Sequence, residues 1–243
     1  MPNPTAAILI IGDEILSGRT RDANMHYLAG ELTRIGIDLK EVRVVSDDHD
    51  AIVTAVNALR AAYTHVFTSG GIGPTHDDIT ADAIAAAFGM ELHVRDDARA
   101  ILAAHYDRSG LDFNAARLRM ARIPEGATLI ENPISAAPGF SLDNVHVMAG
   151  VPSIFQAMVA SLLPRLTGGE PLLSQTLRIG RGEGEIAEPL AALAAEFADL
   201  SFGSYPFIQN GAYGANIVIR GTDPGRIDAA ISRLAGLFPA ERA

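Results

Sequence analysis

The 243-residue chain contains no cysteine and no tryptophan, and Lys40 is its one lysine. Without cysteine there is no disulfide, no thiolate nucleophile and no cysteine-ligated metal cluster, and a reducing cytoplasm is the expected location. Long apolar runs are also missing. The N-terminal stretch "MPNPTAAILIIGDE" has no basic flank, and its apolar part covers residues 5–11, far short of the roughly 20 residues that span a bilayer. The chain is therefore expected to be unprocessed and not associated with a membrane. Histidines occur at 26, 49, 65, 76, 93, 105 and 146 without HxH or HExxH spacing, which argues against a zinc site. A formal net charge of −10 opposes sequence-independent binding to nucleic acid or anionic lipid. Cationic contacts to an anionic ligand must come mainly from arginine, and Arg19 and Arg21 lie nearest a candidate loop.

What is present is globular: 48% hydrophobic and 20% charged residues. "TAAILII" (5–11), closed by Gly12, reads as a strand buried on both faces of a parallel sheet. Met25, Leu28, Ala29, Leu32 and Ile35 then share a helical face ended by Gly36. "LKEVRVV" reads as a strand, Ile52, Val56 and Leu59 as a helix, and "THVFTS" (64–69) as a further strand. This alternation predicts βαβ units with ligand chemistry at the carboxyl ends of the strands. Next come a helix over 79–88, an extended piece near "MELHV", helical periodicity through 96–121, and strands at "ATLIE" and "VHVMAG". A helix opened by Pro152 and Ser153 runs to a break at "TGGEP" (167–171). The boundary placed there gives an α/β domain over 1–168 and a small α+β domain over 169–243. The small domain is expected to hold strands at 174–179, 200–205 and 215–220 and helices at 185–198 and 224–237.

The stretch "SGGIGPTHDDIT" (69–80) joins a strand to a helix, and its glycines let backbone N–H groups turn toward a phosphate at a helix N-terminus. Ser69, Gly70, Gly71, Gly73 and Thr75 are the candidate phosphate-binding residues. It is neither a Walker loop, lacking Lys-Ser/Thr, nor the dinucleotide fingerprint, because His76 holds the third glycine position. Asp77 and Asp78 would repel a phosphate unless a cation stood between, and a hard divalent ion such as Mg²⁺ resolves the conflict, with Asp78 as its ligand. The plainer alternative is a tight turn with Asp78 as helix cap. Three further loops join it. "GDEILSG" offers Gly12, Asp13, Glu14 and Ser17; "VVSDDHD" offers Asp47, with Asp48 beginning the next helix; "NPISAAPGF" (132–140) offers Pro138 and Gly139 for close passage along a flat ligand, or else two turns framing an edge hairpin. Ser153 marks another helix N-terminus, and His76 is a candidate acid/base. A formal GxGxxA at 182–187 is set aside, since Glu183 and Glu185 would oppose a pyrophosphate.

These motifs, with "PEGATLIENPISAAPGF", "GVPS" and "SFGSYP" in the same order, resemble the molybdenum-cofactor-biosynthesis (molybdopterin-binding) superfamily, and the "PTHDDIT" form resembles its CinA-like branch. The resemblance covers nearly the whole chain. It implies a three-layer αβα domain with a mostly parallel sheet that binds a pterin or adenine-nucleotide phosphate over the glycine loop, and a homodimer or other homo-oligomer. The two aspartates used for metal binding and catalysis in the molybdopterin adenylyltransferase branch match Asp47 and Asp78, whereas Asp77 stands where that branch often has a basic residue. CinA-like proteins are associated with metal-dependent hydrolysis of nucleotide pyrophosphates such as ADP-ribose, and a similar domain of eukaryotic FAD synthase with FAD hydrolysis. The expectation is a hydrolase of that kind, with a non-catalytic binding module or an adenylyltransferase-like enzyme as alternatives. The amidase region of full CinA proteins, which deamidates nicotinamide mononucleotide, is expected to have no counterpart here.

Overall fold

The computed structural model describes residues 2–209 and 211–238. It divides into two compact units, Met1–Gly169 and Glu170–Ala243.

In the large unit the strand Thr5–Ile11 (β1) is buried at every position after Thr5. Its side chains alternate between two cores. Ala7, Leu9 and Ile11 pack with Ile52, Val56 and Leu59 of helix His49–Ala62 (α3, following below), and Ala6, Ile8 and Ile10 pack with Leu28 and Leu32 on the opposite face. That alternation makes the three layers. Each fully buried Leu, Ile or Phe contributes roughly 1.5–3 kcal/mol.

The chain continues through a single turn of helix Asp13–Leu16 (α1), helix Asn24–Arg34 (α2), strand Asp38–Val45 (β2), α3, strand His65–Ser69 (β3) and helix Thr80–Phe88 (α4). Strand Leu92–Val94 (β4), helix Asp96–Ser109 (α5), a short helix Ala115–Leu118 (α6) and a 3-10 turn over Arg119–Ala121 follow. Strands Arg122–Pro124 (β5), Thr128–Ile130 (β6), Gly139–Leu142 (β7) and Val145–Met148 (β8) precede helix Pro152–Leu162 (α7). The main sheet has the order β2-β1-β3-β8-β7-β6. β2, β1, β3 and β8 run parallel, and β7 is antiparallel to both its neighbours. The chain leaves β1 for β2 on one side and returns to β3 on the other, with α2 packed in one core and α3 in the other. Such a reversal of strand order opens a crevice at the carboxyl ends of the strands.

Two sequence expectations are corrected. The helical run over 96–121 breaks after Ser109, because Gly110 adopts φ 67 and closes α5 in a left-handed turn. The stretch 132–140 leads into β7, which pairs antiparallel with β6 and β8, so the plainer alternative of turns beside an edge hairpin describes it better than a ligand-passing loop.

The second unit comprises strand Leu173–Ile179 (β9), helix Glu183–Glu196 (α8), strands Ser201–Gln209 (β10) and Ala212–Gly221 (β11) and helix Pro224–Leu237 (α9). Its antiparallel sheet has the order β10-β11-β9. Ala215, Ile217 and Ile219 of β11 share a core with Ile186 and Leu193 of α8 and Ile227 and Leu234 of α9. Asp223 caps α9, accepting from the amides of Gly225 (2.8 Å) and Arg226 (3.2 Å). No helix among the described residues is long and apolar enough to cross a membrane.

Candidate functional site

A cleft of about 610 Å³ opens at the carboxyl ends of β1, β2, β3 and β8. Its walls include Glu14, Asp47, Gly70, Gly71, Gly73, Asp77 and Asp78, so the three acidic loops foreseen in the sequence do converge on one cavity. Convergence follows from the strand order, since β2, β1 and β3 are neighbours.

The glycine loop is held by close approaches. Gly70 (φ 113) lies against β1, where an added Cβ would sit 2.2 Å from the Ile11 carbonyl oxygen. Gly71 (φ 69) accepts from the Thr80 amide (3.0 Å), and the buried Thr80 hydroxyl donates to the Gly70 carbonyl (3.0 Å). The amides of Gly71, Ile72 and Gly73 meet no protein acceptor among the described residues. Unpaired donors lining a cavity suit an anion.

Asp78 does not cap α4, whose N-cap is Ile79 without a side-chain bond. Its Oδ2 instead accepts from both the amide (2.8 Å) and the hydroxyl (2.6 Å) of Thr75, which fixes the carboxylate and leaves Oδ1 without a donor among the described residues. Asp47 is held in a comparable way, its Oδ2 accepting from the Asp13 amide (3.0 Å). Burial pushes the Asp47 carboxyl above the usual carboxylate range; the Asp13 amide opposes this, and the charges of Asp13, Glu14 and Asp77 add to it. An acidic rim that repels its own charge favours a cation or a proton.

Other predicted residues lie elsewhere. The side chain of His76 is 99% exposed, 3.9 Å from Asp77, and lines no part of the cleft. Ser17 turns back to the Glu14 carbonyl (3.3 Å), and Ser153 is exposed on the first turn of α7. Asp13 contributes its backbone, while Gly12 gives room for the Glu14 carboxylate, which a Cβ there would meet at 2.5 Å. Thr75 acts through Asp78. Ser69 is buried beneath the loop and accepts from Asn24 (2.8 Å), whose amide also donates to the Gly150 carbonyl (2.7 Å). Pro138 and Gly139 are buried behind the cleft, Gly139 pairing with Ile130 and leaving a Cβ only 2.4 Å from the Val147 carbonyl. From the same loop Asn132, Ser135 and Ala137 line the cavity, and Pro138 and Gly139 do not.

Tyr106 and Met120 line the cleft and carry no motif signal. Arg119 was also missed. Its Nη2 lies 3.4 Å from the Asp78 carbonyl, its Nε is buried without an acceptor, and no carboxylate pairs with it among the described residues. Arg19 and Arg21, nearer in sequence, are both exposed, and Arg21 borders only a smaller side pocket.

Residues 7–168 match the family described as a probable molybdopterin binding domain. The chain belongs to this molybdopterin-binding family. Residues 171–243 match a second model, the FAD synthase middle domain. A CinA-like protein of Syntrophus aciditrophicus is 33% identical over 210 residues, covering 82% of this chain and 50% of its own. A probable FAD synthase of Caenorhabditis elegans is 32% identical over 260 residues, covering 96% of this chain and 50% of its own. The chain thus spans about half the length of these curated relatives. The crystal structure of the protein CinA, of unknown function, from Thermoplasma acidophilum superposes with a TM-score of 0.61 at 34% identity, over 67% of this chain and 97% of that one. This molybdopterin-binding, CinA-like chain therefore shares its α/β architecture with a solved CinA and carries a middle domain of the FAD synthase type.

Proposed function

We propose that the cleft binds a nucleotide through its pyrophosphate and hydrolyses the phosphoanhydride, with substrates of the FAD or ADP-ribose type. The observation that carries this reading is one cavity holding both the acceptor-free amides of Gly71, Ile72 and Gly73 and the two immobilised carboxylates of Asp47 and Asp78. Neither half makes sense alone, since a bare anion site would not be ringed by carboxylates.

Among the described residues no cluster of three or more His, Asp or Glu side chains is arranged to hold a metal ion. Two carboxylates are nevertheless the usual protein share of a Mg²⁺ site, whose other ligands are water and substrate phosphate. Asp47 and Asp78, each with an Oδ1 that accepts from no donor among the described residues, fit an ion that arrives with its nucleotide. Such an ion would neutralise phosphate charge and acidify a bound water. The residues of the chain do the rest: the loop amides fix the phosphates, Thr75 and the Asp13 amide aim the carboxylates, and Glu14 is placed to orient water and take its proton. A new bond forms from water oxygen to phosphorus, the bridging P–O bond breaks, and the second phosphate leaves.

The names of the curated relatives favour a second reading, adenylyl transfer, in which a phosphate rather than water attacks the same phosphorus. Parallel incubations in ¹⁸O-water, one with FAD and Mg²⁺ and one with ATP, FMN and Mg²⁺, separate the two. Hydrolysis yields FMN and AMP, one of them carrying the label; transfer instead makes FAD from ATP and FMN, and that outcome with intact FAD would overturn the hydrolytic reading.

A further inference from the structure

Two neighbouring segments of the cleft wall are joined by one buried side chain. The glycine loop leaves the end of β3, while Gly150, Val151 and Pro152 leave the end of β8, the strand that pairs parallel with it. Where the segments part they touch: the Gly70 amide donates to the Met148 carbonyl (3.1 Å), and a Cβ on Gly150 would lie 3.3 Å from the Gly70 Cα. Beyond that point no backbone hydrogen bond joins the two among the described residues. Amides aimed at an anion work only while the backbone that carries them is held in place.

Asn24, the first residue of α2 and only 3% exposed, supplies that hold. Its Nδ2 donates one hydrogen to the Ser69 hydroxyl oxygen (2.8 Å) and the other to the Gly150 carbonyl (2.7 Å), so a single planar group spans both segments. A carbonyl can only accept, which fixes the orientation of the amide. Of the neutral side chains, only Asn and Gln carry two hydrogens on one atom. The arrangement costs stability, because the Asn24 Oδ1 is buried without a partner among the described residues. Asn144 has the same signature, its Nδ2 donating to the Arg60 and Tyr63 carbonyls (2.9 Å each) and its Oδ1 likewise buried and unpartnered among the described residues. It stands just before β8, at the end of the strands away from the cleft, and so provides an internal control.

We infer that Asn24 is a positioning residue for the anion site: its amide ties the base of the glycine loop to the segment between β8 and α7 and so keeps the amides of Gly71, Ile72 and Gly73 set for a phosphate. The inference rests on the anion-binding reading above. Calorimetric titration with inorganic pyrophosphate in the absence of metal, paired with urea unfolding, tests it on wild type, Asn24→Leu and Asn144→Leu. Leucine removes both donors without adding charge, and each variant leaves two acceptors unpaired, so the urea midpoints of both should fall by comparable amounts. Asn24→Leu alone is expected to bind pyrophosphate more weakly, by about tenfold or more. Asn24→Ser, which keeps one donor but cannot reach both acceptors, replaces the leucine variant if that fails to fold, and carries the same expectation. Pyrophosphate affinity in the Asn24 variant unchanged from wild type, or an equal loss in Asn144→Leu as general loosening would give, overturns the inference while the anion site stands. If wild type itself binds no pyrophosphate, the anion-binding reading falls and the inference with it.

Discussion

Gly71→Ala tests whether the glycine loop is built as described. At φ 69 a residue with a Cβ sits in the left-handed region, which costs roughly 1–2 kcal/mol. The new methyl would also lie 2.1 Å from the Thr80 hydroxyl, which is buried and donates to the Gly70 carbonyl at 3.0 Å. Displacing that hydroxyl leaves buried polar groups unpaired, a further cost of roughly 1–3 kcal/mol. Together these predict a loss of about 2–5 kcal/mol, or roughly 4–20 °C in Tm for a unit of this size. The double variant with Thr80→Ala supplies the control. It removes the colliding oxygen, so its loss should fall short of the sum of the single losses by about 1–2 kcal/mol. Gly70→Ala should admit no such relief, because its Cβ would meet the Ile11 backbone carbonyl at 2.2 Å. Urea unfolding followed by far-ultraviolet circular dichroism measures wild type and the four variants, Gly71→Ala, Thr80→Ala, their double and Gly70→Ala. Strict additivity of Gly71→Ala and Thr80→Ala, or a Gly71→Ala loss under about 0.5 kcal/mol, would refute the packing argument.

Thr75→Val deletes the hydroxyl that aims Asp78 while keeping the amide bond to the same oxygen; turnover should drop about tenfold, with stability within about 0.5 kcal/mol of wild type. Asp47→Asn keeps an acceptor for the Asp13 amide but removes a charge that burial and neighbouring carboxylates oppose. Because the folded-state pKa is raised, ionised Asp47 costs stability above it, so the variant should melt higher at neutral pH, and a lower Tm would contradict this. His146 works in the other direction: burial pushes its imidazole down to about 3, with His65 and Arg165 adding to the shift. The unfolded chain takes a proton near pH 6.5 that the folded chain refuses, so stability should fall by about 1.4 kcal/mol per unit as pH drops from 6.5 toward 5. His146→Gln should flatten that slope in thermal melts recorded across the same range.

The layers of the large unit were legible because β1 is buried on both faces, and an unbroken "AAILII" after Thr5 has few other uses. The acidic loops were legible because each follows a strand, and strand ends share one edge of a parallel sheet. What failed was local geometry. Asp78 reads as a helix cap or a metal ligand, and only the Thr75 bonds, with Ile79 at the N-cap, remove the first of these. Gly139 looks like a ligand-contacting glycine, but it is small because the neighbouring strand's Val147 carbonyl presses against it. Tyr106 and Arg119 were invisible for a different reason. They come from α5 and the 3-10 turn after α6 and reach the site through tertiary packing, with no flanking glycine or doubled carboxylate to mark them.

The claim that Asp47 and Asp78 act together on a nucleotide pyrophosphate is tested most directly by AMP release from FAD and ADP-ribose, with and without Mg²⁺, in wild type, Asp47→Asn and Asp78→Asn. The account predicts Mg²⁺-dependent release in wild type and a fall of at least about 100-fold in each variant, with pyrophosphate binding by the loop amides retained when metal is absent. Equal turnover by wild type and Asp78→Asn would contradict it.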